Sequence, residues 1–167
     1  MKSARTRGPR TAVFFAIAIA VVALDQITKF WAESALVGQG SKPDLGELLQ
    51  FRLAYNDAAA FSLGVGATWI LTTISLAATI AMITFGPRAK TMIWSVIAGF
   101  VLGGAAGNLI DRALKAPEFF NGHVVDFIQI PFNFPIFNLA DSFLVIGISL
   151  AILRTMLGDE IGGGRAK

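Results

Sequence analysis

Acidic, basic and amide side chains inside or beside apolar stretches are costly to bury, so each one is expected to have a structural or functional role. In this chain they are Asp25, Lys29, Asn56, Asn108, Asp111, Arg112, Asp126, Asn138 and Asp141. Asp126 and Asp141 stand apart, because neither has a Lys or Arg next to it or one helical turn away. Two carboxylates held together in a low-dielectric site cannot both ionise, so the pair can act as acid and base on one water molecule. The alternative is that Asp126 begins a turn and Asp141 caps or tethers a helix. Asn108 and Asn138 either hydrogen-bond to these carboxylates or bridge helices.

The other charged residues have partners close by in the sequence. Asp25 and Lys29 are four residues apart with the acid first, which favours an ion pair on one helical face. Asn108 and Asp111 are three residues apart, and Arg112 directly follows the carboxylate to compensate it. We interpret the first group as a structural ion pair or an anchor for a substrate loop, and the second group as scaffold. The alternative for both groups is a part in catalysis.

The amino-acid composition excludes several kinds of catalysis and argues against others. The chain has no cysteine and a single histidine, His123, so thiolate chemistry and a two-histidine zinc site are excluded, and we expect no metal or cofactor. A Ser/Lys dyad would use Ser62 or Ser142 with Lys29 as base, but it requires a neutral lysine, and Asp25 one turn away opposes that. From other classes, the acids could line a proton or cation path in a small transporter, or the chain could be purely structural.

The elements that must position these residues are predicted to be membrane helices. The 167 residues are 54% hydrophobic and 15% charged, with a mean hydropathy of +0.65. Four apolar stretches lie at about 11–32, 66–85, 91–110 and 135–157, each near the ~20 residues that cross a ~30 Å hydrocarbon core as a helix. The prediction is a single-domain, all-α membrane protein with a four-helix transmembrane bundle. The first stretch has no obvious cleavage site, so we expect it to be retained.

The distribution of basic residues predicts the topology. Nine Lys and Arg residues fall on one side of the predicted membrane, namely Lys2, Arg5, Arg7, Arg10, Arg88, Lys90, Arg154, Arg165 and Lys167. Four fall in the loops of the other side, namely Lys42, Arg52, Arg112 and Lys115. This bias places both termini in the cytoplasm, and the basic N-terminus indicates a topology signal rather than nucleic-acid binding.

The two outer loops, about 33–65 and 111–134, are long enough to carry the function. Apolar and polar residues alternate from Leu49 to Asn56, and a second β-prone run follows around Val124 to Ile130. We therefore expect a small β-sheet, or cradle, on the outer membrane surface. The glycine-rich tail, about 160–167, is predicted to be disordered.

Five strings in this chain resemble the motifs of the lipoprotein signal peptidases, also called signal peptidase II. They are D-Q-I-T-K at 25–29, N-D-A-A-A-F-S at 56–62, G-A-A-G-N-L-I-D-R at 104–112, V-V-D-F at 124–127 and F-N-L-A-D-S at 137–142. Each motif is weak alone, but they occur in the family order and span nearly the whole chain. One departure is Ala58, where the family pattern leads us to expect glycine, and it affects the expected conformation of that loop.

The resemblance implies a bacterial inner-membrane aspartic endopeptidase that cleaves prolipoproteins just before their diacylglyceryl-modified cysteine. It implies that the catalytic pair is Asp126 and Asp141. Supporting residues carry over motif by motif to Asp25, Lys29, Asn56, Asn108, Asp111, Arg112 and Asn138. The expected partners are the lipid-modified substrate and membrane lipid, with no nucleic acid, and the expected state is a monomer with its site toward the outer face.

Overall fold

The structure is a computed structural model that describes residues 8–40, 42–43, 46, 48–57 and 68–163. Three sequence predictions fall wholly or partly on other residues. They concern the N-terminal cations Lys2, Arg5 and Arg7, the loop from Ala58 to Ser62, and the last part of the tail, 164–167. These parts of the predictions lie outside the described residues.

Four long helices form the body of the protein, as the hydropathy pattern predicts. They are α1 (Gly8–Leu36), α2 (Thr68–Phe85), α3 (Met92–Leu114) and α4 (Leu139–Met156). All four are long and apolar enough to cross a membrane. Their outward faces carry large exposed apolar side chains such as Ile19, Ile74 and Val145, as expected for surfaces that contact lipid. The all-α, four-helix prediction is confirmed.

The start of α4 differs from the prediction. The apolar stretch begins near residue 135, but the helix begins at Leu139 because Asn138 caps it. Phe137, just before the cap, is held in extended pairing with Ile128, with N–H···O distances of 2.8 and 3.0 Å. An N-cap residue therefore locates the start of a helix more exactly than hydropathy does.

The central helix is α3, which packs against α1, α2 and α4. Its glycines permit close approach: a Cβ on Gly103 would lie 2.5 Å from the Val21 Cβ of α1, and a Cβ on Gly107 would lie 3.1 Å from the Ala140 Cβ of α4. This agrees with the small-residue spacing on α3, which favours close helix contacts in membranes. As a result, the polar residues of α1, α3 and α4 lie next to one another.

A small antiparallel sheet covers one end of the bundle, which we call the sheet end. Its strands are β1 (Lys42–Pro43), β2 (Gln50–Asn56) and β3 (Val124–Gln129), in the order β1-β2-β3. The sheet is fixed to α1 by an apolar cluster that includes Ala32, Leu36 and Phe127. This confirms the predicted small sheet.

The chain after α4 turns back beneath the end of the bundle opposite the sheet. Residues 160–163 belong to the tail predicted as disordered, and here they form turns, with the Lys90 backbone N–H donating to the Gly162 carbonyl at 2.6 Å. The Trp94 indole donates to Asp159 Oδ2 at 3.3 Å. These contacts tie the segment to the start of α3.

Candidate active site

Asp126 lies on β3, and its side chain accepts hydrogen bonds from two neutral amides. The residue is 2% exposed. Its Oδ2 accepts a hydrogen bond from Asn56 Nδ2 at 2.8 Å, and its Oδ1 accepts one from Asn138 Nδ2 at 2.6 Å. The antiparallel register explains the first contact, because Ala54 faces Asp126 and Asn56 faces Val124 across the two strands.

Asp141 lies in the first turn of α4 and is also held by neutral donors. Its Oδ1 accepts from Asn108 Nδ2 at 2.7 Å, and its Oδ2 accepts from the Asn138 backbone N–H at 3.3 Å. The Asp141 backbone N–H donates in return to Asn138 Oδ1 at 2.9 Å, which completes a capping box. The residues that cap α4 are therefore also residues of the candidate site.

Asn138 joins the two acids. Its side-chain amide donates to Asp126, while its backbone N–H donates to Asp141. The same amide also donates to Asn108 Oδ1 at 3.1 Å, which orients the second asparagine. Two carboxylates that are remote in sequence thus share one bridging residue.

The protonation of Asp126 is shifted by its surroundings. Burial is the largest cause and the negative charge of Asp141 the next, and together they raise the pKa of Asp126 to about 7. Hydrogen bonds from Asn56 and Asn138 and the charge of Lys29 act in the opposite direction. This carboxyl group therefore exists in both forms near neutral pH, which suits proton transfer.

A second buried group, which we call the lysine cluster, consists of Asp25, Lys29 and Asp111. Lys29 Nζ lies 2.9 Å from Asp25 Oδ2 and 2.8 Å from Asp111 Oδ2. The first pair is the one that the four-residue spacing predicts. Asp25 Oδ1 also accepts from the Ala140 backbone N–H at 2.9 Å, and Asp111 Oδ2 from the Val125 backbone N–H at 3.1 Å. The cluster therefore fixes the start of α4 and β3 against α1 and α3.

Asp111 forms an ion pair with Lys29 on another helix, which the sequence does not predict. Adjacent residues of a helix point in directions about 100° apart, so they do not face each other. Arg112 is buried nearby and interacts electrostatically with both Asp126 and Asp141, and with Asp111. Its positive charge therefore contributes to the electric field at both carboxylates.

Sequence reasoning missed Gln26. Its Nε2 donates to Asp25 Oδ2 at 3.1 Å, to Asp111 Oδ1 at 3.2 Å and to the Gly107 carbonyl at 3.3 Å. A side-chain amide within an apolar stretch indicates a site residue just as a charged side chain does. The position of Gln26 in the first apolar stretch is therefore a signal that could have identified it.

The lysine cluster also contacts the carboxylate pair. Lys29 Nζ donates to Asn108 Oδ1 at 3.0 Å, which turns Asn108 Nδ2 toward Asp141. Two carboxylates and an amide oxygen surround Lys29 Nζ, an arrangement that argues against its use as the base of a Ser/Lys dyad. Ser142 Oγ instead donates to the Asn138 carbonyl at 2.9 Å, and Ser62 lies outside the described residues.

All nine predicted site residues lie toward the sheet end. Ion pairs and hydrogen bonds connect eight of them, and Arg112 interacts electrostatically with Asp126, Asp141 and Asp111. Within the described ranges, no group of three or more His, Cys, Asp or Glu side chains is arranged to hold a metal ion. What the arrangement can do is acid–base chemistry between one carboxyl and one carboxylate in a site held by amides.

Comparison with known proteins gives one consistent result. The family model described as signal peptidase (SPase) II matches residues 17–157. A lipoprotein signal peptidase of Leifsonia xyli is 40% identical over 151 residues, covering 90% of this chain and 70% of that protein. One from Rhodococcus jostii is 38% identical over 156 residues, covering 93% and 78%. A bacterial membrane enzyme solved by the in meso method at 2.3 Å resolution matches with a TM-score of 0.78 and 30% identity, covering 87% of this chain and 88% of that one.

These matches cover most of the chain and include four helices that suit a membrane. The chain is therefore a multi-pass membrane protease that belongs to the signal peptidase II family.

Proposed function

We propose that this enzyme removes the signal peptide from diacylglyceryl-modified bacterial prolipoproteins by hydrolysing the bond just before the lipidated cysteine, with Asp126 and Asp141 as the catalytic residues. The observation that carries the proposal is the bridging of the two acids by Asn138 at 2.6 and 3.3 Å. Among the ion pairs of the described residues, none includes either acid. The substrate class follows from the names of the relatives.

In the proposed reaction Asp126 begins protonated and Asp141 ionised. The raised pKa of Asp126 supports the first assignment. The position of Asp141 in the first turn of α4 supports the second, because a helix N-terminus stabilises a negative charge. Asp141 removes a proton from water, the water oxygen attacks the carbonyl carbon, and Asp126 donates its proton to the carbonyl oxygen.

The tetrahedral intermediate then collapses. Asp141 gives its proton to the nitrogen of the leaving cysteine, the carbon–nitrogen bond breaks, and Asp126 recovers a proton from the hydroxyl group. Each carboxyl returns to its starting form, and no covalent bond to the enzyme is made. The electrostatic contribution of Arg112 favours the negative charge that develops during attack.

Supporting roles divide between the two groups. Asn56, Asn108 and Asn138 orient the carboxylates by direct hydrogen bonds. The lysine cluster holds the elements that carry them. We infer that the substrate enters sideways from the bilayer, with its acyl chains in lipid and β2 supporting it at the surface.

The proposed orientation follows the distribution of basic residues. Both termini lie in the cytoplasm, and the sheet end lies on the outer face of the bacterial inner membrane. We propose separately that the enzyme works as a monomer. The short turn Gly86–Arg88 between α2 and α3, with Arg88 in it, then lies on the cytoplasmic side.

The test compares two precursors of identical sequence, one with diacylglyceryl-cysteine and one with unmodified cysteine. Purified enzyme in lipid vesicles is expected to cleave only the first, and mass spectrometry of the product should identify lipidated cysteine as the new N-terminus. Asp126→Asn serves as the inactive control. Equal cleavage of both precursors, or cleavage at another bond, would refute the proposed specificity.

A further inference from the structure

A cleft lies at the end of the bundle opposite the sheet. Its volume is about 450 Å³, and its lining includes Met82 of α2, Trp94, Ile97 and Val101 of α3, and Ala151 of α4. Within the described part of the chain, α2 and α4 each pack against α3 but not against each other. The cleft is therefore a wedge between two outward-facing helices, with α3 as its floor.

The wall that closes the cleft is ordered by hydrogen bonds. Asp159 accepts from the Trp94 indole at 3.3 Å and from Arg154 Nε at 2.8 Å, which pins the chain after α4. The Lys90 backbone N–H donates to the Gly162 carbonyl, so that Ile161 and Gly162 form one side of the opening. The cleft is thus a built feature and not a gap beside a loose tail.

The opening is positively charged. Arg88 and Lys90 are exposed at its edge, and Arg10 donates a hydrogen bond to the Lys90 carbonyl. Within the described residues, the carboxylate that opposes them is Glu160, 3.6 Å from Lys90 Nζ, since Asp159 is already paired with Arg154. Three cations against one carboxylate leave two positive charges. The Arg88 guanidinium also lies over the Phe85 ring, 4.6 Å from its centre, which restricts its orientation.

We propose that this cleft binds one anionic glycerophospholipid, with an acyl chain in the wedge and its phosphate at Arg88 and Lys90. An apolar cavity at membrane depth does not hold water well, and a lipid chain is the apolar molecule available there. Because an acyl chain gains little by moving from bilayer to cleft, selection must come from the headgroup. Basic side chains at the membrane surface attract anionic lipids, which matches the charge of the opening. In the orientation proposed above, the lipid comes from the cytoplasmic leaflet.

The test is native mass spectrometry of the intact protein released from nanodiscs that contain equal amounts of phosphatidylglycerol and phosphatidylcholine with the same acyl chains. Wild type is expected to retain one phosphatidylglycerol in preference to phosphatidylcholine. The double variant Arg88→Gln/Lys90→Gln should lose this preference by about fivefold for each charge removed. Ala151→Phe, which fills the wedge, should lose the bound lipid itself.

Arg52→Gln is the matched control, because it removes an exposed cation from β2 at the other end of the molecule. It should keep the wild-type preference. Equal retention of the two lipids by wild type would overturn the proposal without any variant, as would an undiminished preference in the double variant. The readout involves no peptide cleavage, so its outcome is independent of the proposed peptidase mechanism.

Discussion

The carboxylate pair and the lysine cluster are both buried groups of acids toward the same end of the bundle, yet they are stabilised in different ways. In the cluster, Asp25 and Asp111 lie 2.9 and 2.8 Å from the ammonium group of Lys29. In the pair, the hydrogen bonds that Asp126 and Asp141 accept from the described residues come from side-chain amides and a backbone N–H. A full opposite charge fixes a carboxylate in its ionised form, whereas neutral donors orient it and leave its protonation free to change.

This difference separates scaffold from chemistry. Removing a charge from the cluster should mainly reduce stability, because it takes an ion-pair partner away from a buried charge. Removing one from the pair should mainly reduce turnover, because the proposed reaction requires both carboxyl groups and burial makes their charge costly to the fold.

The largest effect is expected from Asp126→Asn and Asp141→Asn. Each removes a proton donor or acceptor from the proposed reaction, so kcat/KM should fall by roughly 10³-fold or more. The melting temperature of Asp126→Asn should equal or exceed that of wild type. The comparison variant is Asp25→Asn, which should lose stability while the folded fraction keeps measurable turnover. If the two kinds of variant behaved alike in both assays, the separation would be wrong.

The next effect concerns the fold. Lys29→Met leaves two buried carboxylates without their cation and should destabilise the protein by about 3–5 kcal/mol. Lys115→Met is the matched control: it breaks a pair with Glu33 at 2.6 Å that is partly exposed, and it should cost less than about 1 kcal/mol. Denaturation in detergent micelles measures both. Similar losses for the two variants would show that burial of the cluster does not matter.

Asn138 allows the capping and positioning contributions to be separated. Asn138→Ser keeps an N-cap oxygen for α4 but loses the amide donor to Asp126, so stability should stay near wild type while turnover falls by roughly 10–100-fold. Asn138→Ala should lose the same turnover and also about 1 kcal/mol of stability. Full activity of the serine variant would remove Asn138 from the positioning of the pair.

The smallest effect is the dependence on pH. Since Asp126 must carry a proton in the proposed reaction and its pKa is about 7, kcat/KM should decline above about pH 7, approaching tenfold per pH unit. The folded-state pKa lies above the ordinary value of 3.8, so the folded protein binds this proton more tightly than the unfolded chain. Stability from this group is therefore present at low pH and lost as the pH rises from about 4 to about 7. The stability advantage of Asp126→Asn should grow over the same interval.

The sequence predicts the helices, the sheet and the neighbourhood of the two acids, because each depends on a pattern that physics restricts strongly. Twenty apolar residues favour a membrane helix, and alternation favours a half-buried strand. It does not predict that Asp111 pairs with Lys29, since that contact depends on how closely Gly103 and Gly107 let the helices approach. Nor does it predict the bridging role of Asn138, which requires the start of α4 to within one residue.

The proposed mechanism requires a single proton on the carboxylate pair near neutral pH. Infrared difference spectroscopy can observe this proton directly. Wild type in lipid vesicles, titrated from pH 5 to pH 9, should lose one protonated-carboxyl C=O band with a midpoint near the Asp126 pKa of about 7. That band should be absent from Asp126→Asn and present in Lys115→Met. A spectrum without such a band in wild type, or a band that persists unchanged in Asp126→Asn, would contradict the assignment of the proton to this pair.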